Sequence, residues 1–569
     1  MGLRNVRAAA AATSAALLTA GLLAGITAPA DAHHGTRHDS HHANHHANHH
    51  ANHTATKHHP GRHHGHDRRL APRTHFTMEP DGSSGLTQGG EGIPNIDSVK
   101  STVRAYYGAD STGIANKTSS PYISEMAAIE ARTLKSLKPV SPSRKKAIVF
   151  DADDTTLWTY DMEDNAMHFN FDPVVQANDW VFPMRFPATP GMVDFVHAAA
   201  AKGYAIFGIT GRRFAQEAAT VGNLEKVGYT EFDADNFYTK WDGPDTNKPS
   251  YVTCVAACTT VEYKANTRKH IEQDLGYDIV LNVGDQFSDL QGGYADRALK
   301  LPNPTYYLPS PDLPGVHEPW LAPRSHFTMK PDGSSGLTQG GEGIPNMDST
   351  KSTIRTYYAA DSTGISNKTS SSYIDELAAF QAKVTPRLLA RCQRLDARGA
   401  RPAVVFDADD TTLWTYDMED NAMHFNFDPV LQDTQWVQPQ RFPATPGMVS
   451  LVNAVGDAGC SVVGLTGRRD PQRAATLGNL QKVGYEPFTD ALYFTKWASG
   501  ATPSQEIYGG TPCYPTGNCT TIEYKSAARA YVERQGYRII ANFGDQFSDL
   551  IGGHAQRTYK LPNPTYYLP

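Results

Sequence analysis

The chain is written twice. Asp81–Asn95 is identical to Asp332–Asn346, Phe150–Val174 to Phe406–Val430, and Leu301–Pro309 to Leu561–Pro569. Ala71-Pro-Arg-Thr-His-Phe-Thr-Met78 returns as Ala322-Pro-Arg-Ser-His-Phe-Thr-Met329, an offset of 322 − 71 = 251 residues. Solenoid units repeat every 20 to 50 residues or so, so a period this long duplicates a whole domain. The boundaries are 71–309 and 322–569, joined by a Pro-rich linker, 310–321. Whatever fold and chemistry the first copy has, the second must be able to repeat.

The copies are preceded by two segments of different character. Residues 1–32 have the pattern of a secretory signal peptide: Arg4 and Arg7, an Ala/Leu-rich run, and Ala30-Asp31-Ala32 as a small-x-small cleavage site. A secreted or cell-envelope protein is expected. No later stretch has the length of apolar residues a membrane span needs, so the mature chain should carry no stable span. Residues 33–70 form a histidine-rich arm with fifteen of the 23 histidines. Such a composition cannot build a packed core and should be disordered. Its imidazoles predict loose binding of transition-metal ions such as zinc, nickel or copper. The net charge of −7 argues against nucleic acid as a partner.

Export places the six cysteines in an oxidising compartment. Cys254 with Cys258, and Cys513 with Cys519, read as local loop-closing disulfides. Cys392 and Cys460 have no counterparts in the first copy, and spacing leaves open whether they pair or stay reduced.

Within each copy, short apolar runs alternate with helical patterns. In the first copy the runs are Ala147–Phe150, Tyr204–Ile209 and Asp278–Val283, and the helical segments are near 96–107, 122–137, 190–202, 213–227 and 261–275. This alternation predicts an α/β domain with a parallel sheet flanked by helices, whose ligands bind beyond the carboxyl ends of the strands. Polar motifs stand at those ends. Asp151-Ala-Asp153-Asp-Thr155 follows the first run; alternate residues of an extended chain share a face, which puts Asp151 beside Asp153. One carboxylate can attack phosphorus while the other protonates the leaving oxygen and then activates water. An EF-hand-type calcium loop is the competing reading, but its Gly and Glu positions are Thr156 and Met162. Thr210-Gly211-Arg-Arg213 follows the second run and offers a hydroxyl and backbone N–H groups to a phosphoryl oxygen. Lys264 supplies a cation near a helix start. Gly284-Asp285-Gln-Phe-Ser-Asp289 follows the last run, and two acids at a strand end suit magnesium.

In this order, the four motifs resemble those of the haloacid-dehalogenase (HAD) superfamily, and within it the subfamily IIIB-like acid phosphatases, the branch of class B and plant vegetative-storage-type enzymes. The resemblance covers most of each copy. It implies two tandem HAD-like, Rossmannoid domains, each with a small cap. It also implies a phosphomonoester substrate and Mg2+ as cofactor. Asp151 would be the nucleophile and Asp153 the general acid/base; Thr210, Gly211 and Lys264 would hold the phosphoryl group. Asp285, with Asp151 and the backbone carbonyl of Asp153, would hold the metal, supported from behind by Asp289. The second copy keeps the whole set: Asp407 and Asp409, Thr466, Gly467 and Lys525, Asp545 and Asp549.

Two active sites are therefore expected. The same phosphoenzyme would also serve transfer to an alcohol. A non-catalytic storage or metal-binding role built on the histidine arm is the reading from another class. Between the first two motifs runs an aromatic segment, Trp158–Phe186. Its Trp158, Tyr160, His168 and Phe169 (Trp414, Tyr416, His424 and Phe425 in the second copy) read either as a lip over the leaving group or as ordinary packing.

Overall fold

The computed structural model describes residues 93–241, 248–255, 257–308 and 344–568. The signal segment, the histidine-rich arm, residues 71–92 and the linker 310–321 lie outside the described residues.

Each copy is a three-layer α/β unit. In the first, α1 (Ile96–Tyr107) and α2 (Pro121–Ser136) lead into β1 (Lys146–Phe150). There follow α3 (Met192–Ala201), β2 (Ala205–Arg213), α4 (Glu217–Lys226), β3 (Phe237–Lys240), α5 (Thr260–Gln273), β4 (Asp278–Gly284) and β5 (Ala298–Lys300). The second copy repeats them as α6 (Met347–Tyr357), α7 (Ser372–Asp396), β6 (Pro402–Phe406), α8 (Met448–Asp457), β7 (Ser461–Arg469), α9 (Arg473–Lys482), β8 (Tyr493–Lys496), α10 (Thr521–Arg534), β9 (Arg538–Gly544) and β10 (Thr558–Lys560).

All strand pairs are parallel, in the orders β3-β2-β1-β4-β5 and β10-β9-β6-β7-β8. β1 is central, in register with β2 from Ala147↔Ala205 to Phe150↔Gly208. The apolar runs chosen from the sequence are β1, β2 and β4. The edge strands β3 and β5 are three or four residues long, too short to show a period. Asn95, Ser120 and Thr259 cap α1, α2 and α5 by accepting backbone N–H groups.

One core cluster runs through both copies, joining Ile96, Val99 and Val103 of α1 to Met347 and Ile354 of α6. No helix among the described residues is long and apolar enough to cross a membrane. All six cysteines are paired: Cys254–Cys258, Cys513–Cys519 and Cys392–Cys460. The last bridge ties the 25-residue α7 to the start of β7; the first copy has a 16-residue α2 instead, and there the Tyr204 hydroxyl donates to the Lys138 carbonyl at 2.8 Å.

One difference between the copies has an energetic consequence. Gln381 on α7 donates from Nε2 to the Pro446 carbonyl at 2.8 Å. Its counterpart Glu130 on α2 has a buried Oε1 with no hydrogen-bond partner, and burial, then the charge of Asp194, pushes its carboxyl up to about 8. The unfolded chain releases this proton near the ordinary glutamate pKa, the folded chain only near 8. The folded state therefore binds more protons across that window, and stability falls as pH rises through it. Glu130→Gln is expected to stabilise the protein at pH 8 by on the order of 1 kcal/mol after solvent screening, and by much less at pH 4.5. Thermal melts at the two pH values check this; an equal gain at both would refute the ionisation argument.

Candidate active site

β1 ends between β2 and β4, so Asp151, Thr210 and Asp285 emerge side by side at the carboxyl edge of the sheet. The Asp151 N–H donates to the Val283 carbonyl at 3.0 Å, and the Thr156 hydroxyl to the Asp151 carbonyl at 3.0 Å. Asp154 then takes a left-handed backbone conformation, φ 48°, which Asp tolerates better than most residues. Its carboxylate accepts the Thr159 N–H at 3.0 Å and the Thr159 hydroxyl. Buried there, its carboxyl is pushed up to about 7. The short helix at Phe287–Leu290 follows β4 without room for a side chain at Gly284: a Cβ there would lie 2.5 Å from Asp289 Cβ.

At the centre lies a buried cluster. Lys264 Nζ donates to Asp151 Oδ1 at 2.5 Å and to Asp289 Oδ1 at 2.7 Å. In the second copy Lys525 reaches Asp407 and Asp549 at 2.6 and 2.5 Å. Burial lowers the Lys264 ammonium pKa, but Asp151 and Asp289 outweigh it and the net shift is upward. Burial, then the Asp289 charge, pushes Asp151 well above the carboxylate range, with Lys264 opposing. Asp285 is pushed up to about 7 by burial and Asp289; Asp545 rises to about 6.

Asp151, Asp285 and Asp289 each offer an oxygen, all within 4.8 Å of one another, as do Asp407, Asp545 and Asp549. Three carboxylates and one ammonium carry a net charge of −2, the complement of one divalent cation, and carboxylate oxygens are hard donors. The residues therefore fit a hard divalent metal. Asp153 does not join the oxygen cluster with its side chain. Arg212 grips it in a fork, Nη2 to Oδ1 at 2.6 Å and Nε to Oδ2 at 3.1 Å, and Arg468 holds Asp409 at the same distances.

Thr210 is buried and its hydroxyl accepts the Arg212 N–H at 3.1 Å. Gly211 is exposed, and a Cβ there would meet nothing closer than 4.0 Å, so the backbone of this turn borders open space. Gly467 is equally open and Thr466 equally buried.

The structure also brings in residues that the motifs did not nominate. Arg212 was visible only as one of two arginines after Thr210-Gly211. Asn303 donates to Asp285 Oδ2 at 2.7 Å, and Gln286 donates to the same oxygen at 2.8 Å. Asn303 stands in Leu301–Pro309, whose identity with Leu561–Pro569 was its only signal. The lip reading does not hold for three of its four residues. Trp158, Tyr160 and Phe169 are buried, with Trp158 stacked on Tyr122 at 5.3 Å and Tyr160 against Tyr107 at 4.0 Å; His168 alone is exposed. Aromatic area was better used to anchor α1 and α2 than to face solvent.

Comparison with known proteins identifies the family. Residues 100–309 and 354–569 each match the HAD superfamily, subfamily IIIB (Acid phosphatase). The stem 28 kDa glycoprotein of Glycine max is 35% identical over 144 residues, 25% of this chain and 50% of its own. Acid phosphatase 1 of Solanum lycopersicum is 33% identical over 177 residues, 30% of this chain and 60% of its own. Vegetative storage protein 2 of Arabidopsis thaliana is 32% identical over 105 residues, 17% of this chain and 40% of its own. The chain spans about half the length of the curated relatives it matches. With both copies matched over nearly their whole described length, the chain belongs to the HAD superfamily, subfamily IIIB, in which acid phosphatases are found, and carries that domain twice.

Proposed function

We propose that this protein is an exported, magnesium-dependent acid phosphatase that hydrolyses small phosphomonoesters at two sites. The observation that carries the proposal is the division of labour between two carboxylates two residues apart. Asp151 is 7% exposed by side chain and bound to a lysine; Asp153 is 21% exposed and held by an arginine fork. A nucleophile needs to be shielded and fixed, and a proton donor needs to reach the leaving oxygen. The second copy repeats both arrangements.

An Asp151 oxygen attacks phosphorus as the bond to the departing alcohol breaks, and Asp153 gives its proton to the oxygen of the departing alcohol. Asp153 then takes a proton from the water that attacks the aspartyl-phosphate, which releases phosphate and restores Asp151. Arg212 holds Asp153 in place through both steps. Lys264 and the backbone of Thr210–Gly211 meet the negative charge of the phosphoryl oxygens. Magnesium, when bound by Asp151, Asp285 and Asp289, would neutralise charge on the phosphoryl group. The export half of the proposal rests on residues 1–32.

Storage is the second reading, favoured by the names of two relatives, the vegetative storage proteins of Arabidopsis thaliana. The retention of Asp151, Asp153 and all their partners in both copies weighs against it. Chelation is expected to abolish hydrolysis of a chromogenic phosphomonoester at acidic pH, and added magnesium to restore it. Full activity in excess chelator would rule out the metal role, and no activity with magnesium would favour storage.

A further inference from the structure

The first helix of each copy stays in its own copy through its C-terminal half, with Arg104 on Asp164 and Arg355 on Asp420, but its N-terminal turns reach the other copy. Asn346, the N-cap of α6 in the second copy, donates from Nδ2 to the carbonyls of Asn303 and Tyr306 in the first, at 3.2 and 2.7 Å. The Met347 N–H donates to the Pro304 carbonyl at 2.9 Å, and the Tyr307 N–H to Asp348 Oδ2 at 3.1 Å. Further along α6, Lys351 reaches the Phe169 carbonyl and Asn170 Oδ1 in the cap segment of the first copy.

The reverse contact has the same geometry. Asn95 binds the carbonyls of Asn563 and Tyr566 at 3.2 and 2.7 Å, the Ile96 N–H meets Pro564, Asp97 accepts from Tyr567, and Lys100 reaches Phe425 and Asn426.

What α6 grips is a strap, residues 301–308, that stands against the carboxylate cluster of the first copy. Strap residue Asn303 donates to Asp285 Oδ2. The Tyr306 carbonyl taken by Asn346 also accepts from Gln286 Nε2 at 3.4 Å, and Gln286 is the other donor to Asp285 Oδ2. Both side chains that donate to Asp285 Oδ2 are thus attached to a backbone that the second copy clamps, while Thr155 of the same copy reaches Oδ1 at 3.4 Å. Asn346 fills its hydrogen-bonding capacity in doing so: Oδ1 caps α6, accepting from Asp348 and Ser349, and Nδ2 clamps the strap. The family match begins at residues 100 and 354, so Asn95, Asp97, Asn346, Asp348 and Lys351 all lie before it.

We propose that the sites are built reciprocally: Asn346 of the second copy is a positioning residue for the Asp151 site, and Asn95 of the first copy is one for the Asp407 site. The duplication is then functional rather than additive, because neither copy contains its whole site. This rests on the phosphatase reading for its kinetic readout but not for its binding readout.

The test uses the full chain in two backgrounds, Asp407→Asn and Asp151→Asn, each leaving one site competent. Into each go Asn346→Ser and Asn95→Ser. Serine still caps a helix, so α6 and α1 are kept while the two-carbonyl clamp is lost. Magnesium binding is measured by calorimetry without substrate, and kcat and KM with a chromogenic phosphomonoester. Loss of a group behind a metal ligand costs about 10- to 100-fold in metal affinity or activity. In the Asp407→Asn background, Asn346→Ser is expected to weaken magnesium binding by about tenfold and to lower kcat with little change in KM. Asn95→Ser should cost that site several-fold less, and the order should invert in the Asp151→Asn background.

Equal effects of the two substitutions in each background, or each acting on its own copy's site, would overturn the proposal. An inactive parent chain would count against the phosphatase reading alone, since the crossed pattern in magnesium affinity would still confirm or refute the clamp.

Discussion

Replacing Asp151 by Asn should leave about half of the phosphatase activity, Asp407→Asn should do the same, and the double variant should fall by about 10³-fold or more. Loss of a nucleophile removes the covalent route itself, and such losses are on that scale or larger. The halves follow from the likeness of the two sites: lysine-to-nucleophile distances of 2.5 and 2.6 Å, and arginine forks with the same 2.6 and 3.1 Å contacts. Asn is nearly isosteric, so the fold should persist, and circular dichroism of the double variant checks that. Initial rates at saturating magnesium make the measurement. Activity surviving in the double variant would remove Asp151 and Asp407 from the chemistry. Complete loss in one single variant would mean that only one copy turns over.

The second large effect concerns stability. Among the described residues Lys264 is the one cation bonded to Asp151 and Asp289, and all three side chains are buried. Removing one partner of a buried ion pair typically costs about 3–5 kcal/mol, because the remaining charge stays buried without compensation. Lys264→Met is expected to destabilise the first copy by about that amount in chelator at pH 8. The cost should shrink at pH 5, because Asp285, pushed up to about 7 by burial and the Asp289 charge, takes up a proton there and the cluster has less need of the ammonium. Magnesium at pH 8 should recover part of the loss by binding the same carboxylates. Urea unfolding at the two pH values, with and without magnesium, separates these contributions. An unchanged midpoint in chelator at pH 8 would show that the lysine does not neutralise the cluster.

The parallel sheet was legible because β1, β2 and β4 are continuous apolar runs, each followed at once by a polar motif. β3 and β5 were not, since three or four edge residues carry no period. The nucleophile, its carboxylate neighbour, the lysine and the Gly-Asp-x-x-x-Asp pair were legible as local words. Arg212 was not distinguishable from Arg213 in the sequence. Only the end of β2 decides that one points to Asp153 while the other stays exposed. Trp158 and Tyr160 read equally well as a lip or as packing; the choice was made by Tyr122, 36 residues before Trp158, and Tyr107, 53 residues before Tyr160.

The duplication itself was determined by the sequence alone, since identity between segments needs no coordinates. So was the presence of two complete sets of chemical groups. What only the tertiary structure decided is how the copies use one another. Asn95 and Asn346 look like ordinary helix caps, and their sequence neighbours show nothing of their partners. Those partners lie 43 residues away for Asn346–Asn303 and 468 for Asn95–Asn563, on backbone carbonyls that every residue possesses. A side chain that recognises backbone leaves no mark in the sequence of what it binds, and that contact becomes visible only when the chain is folded.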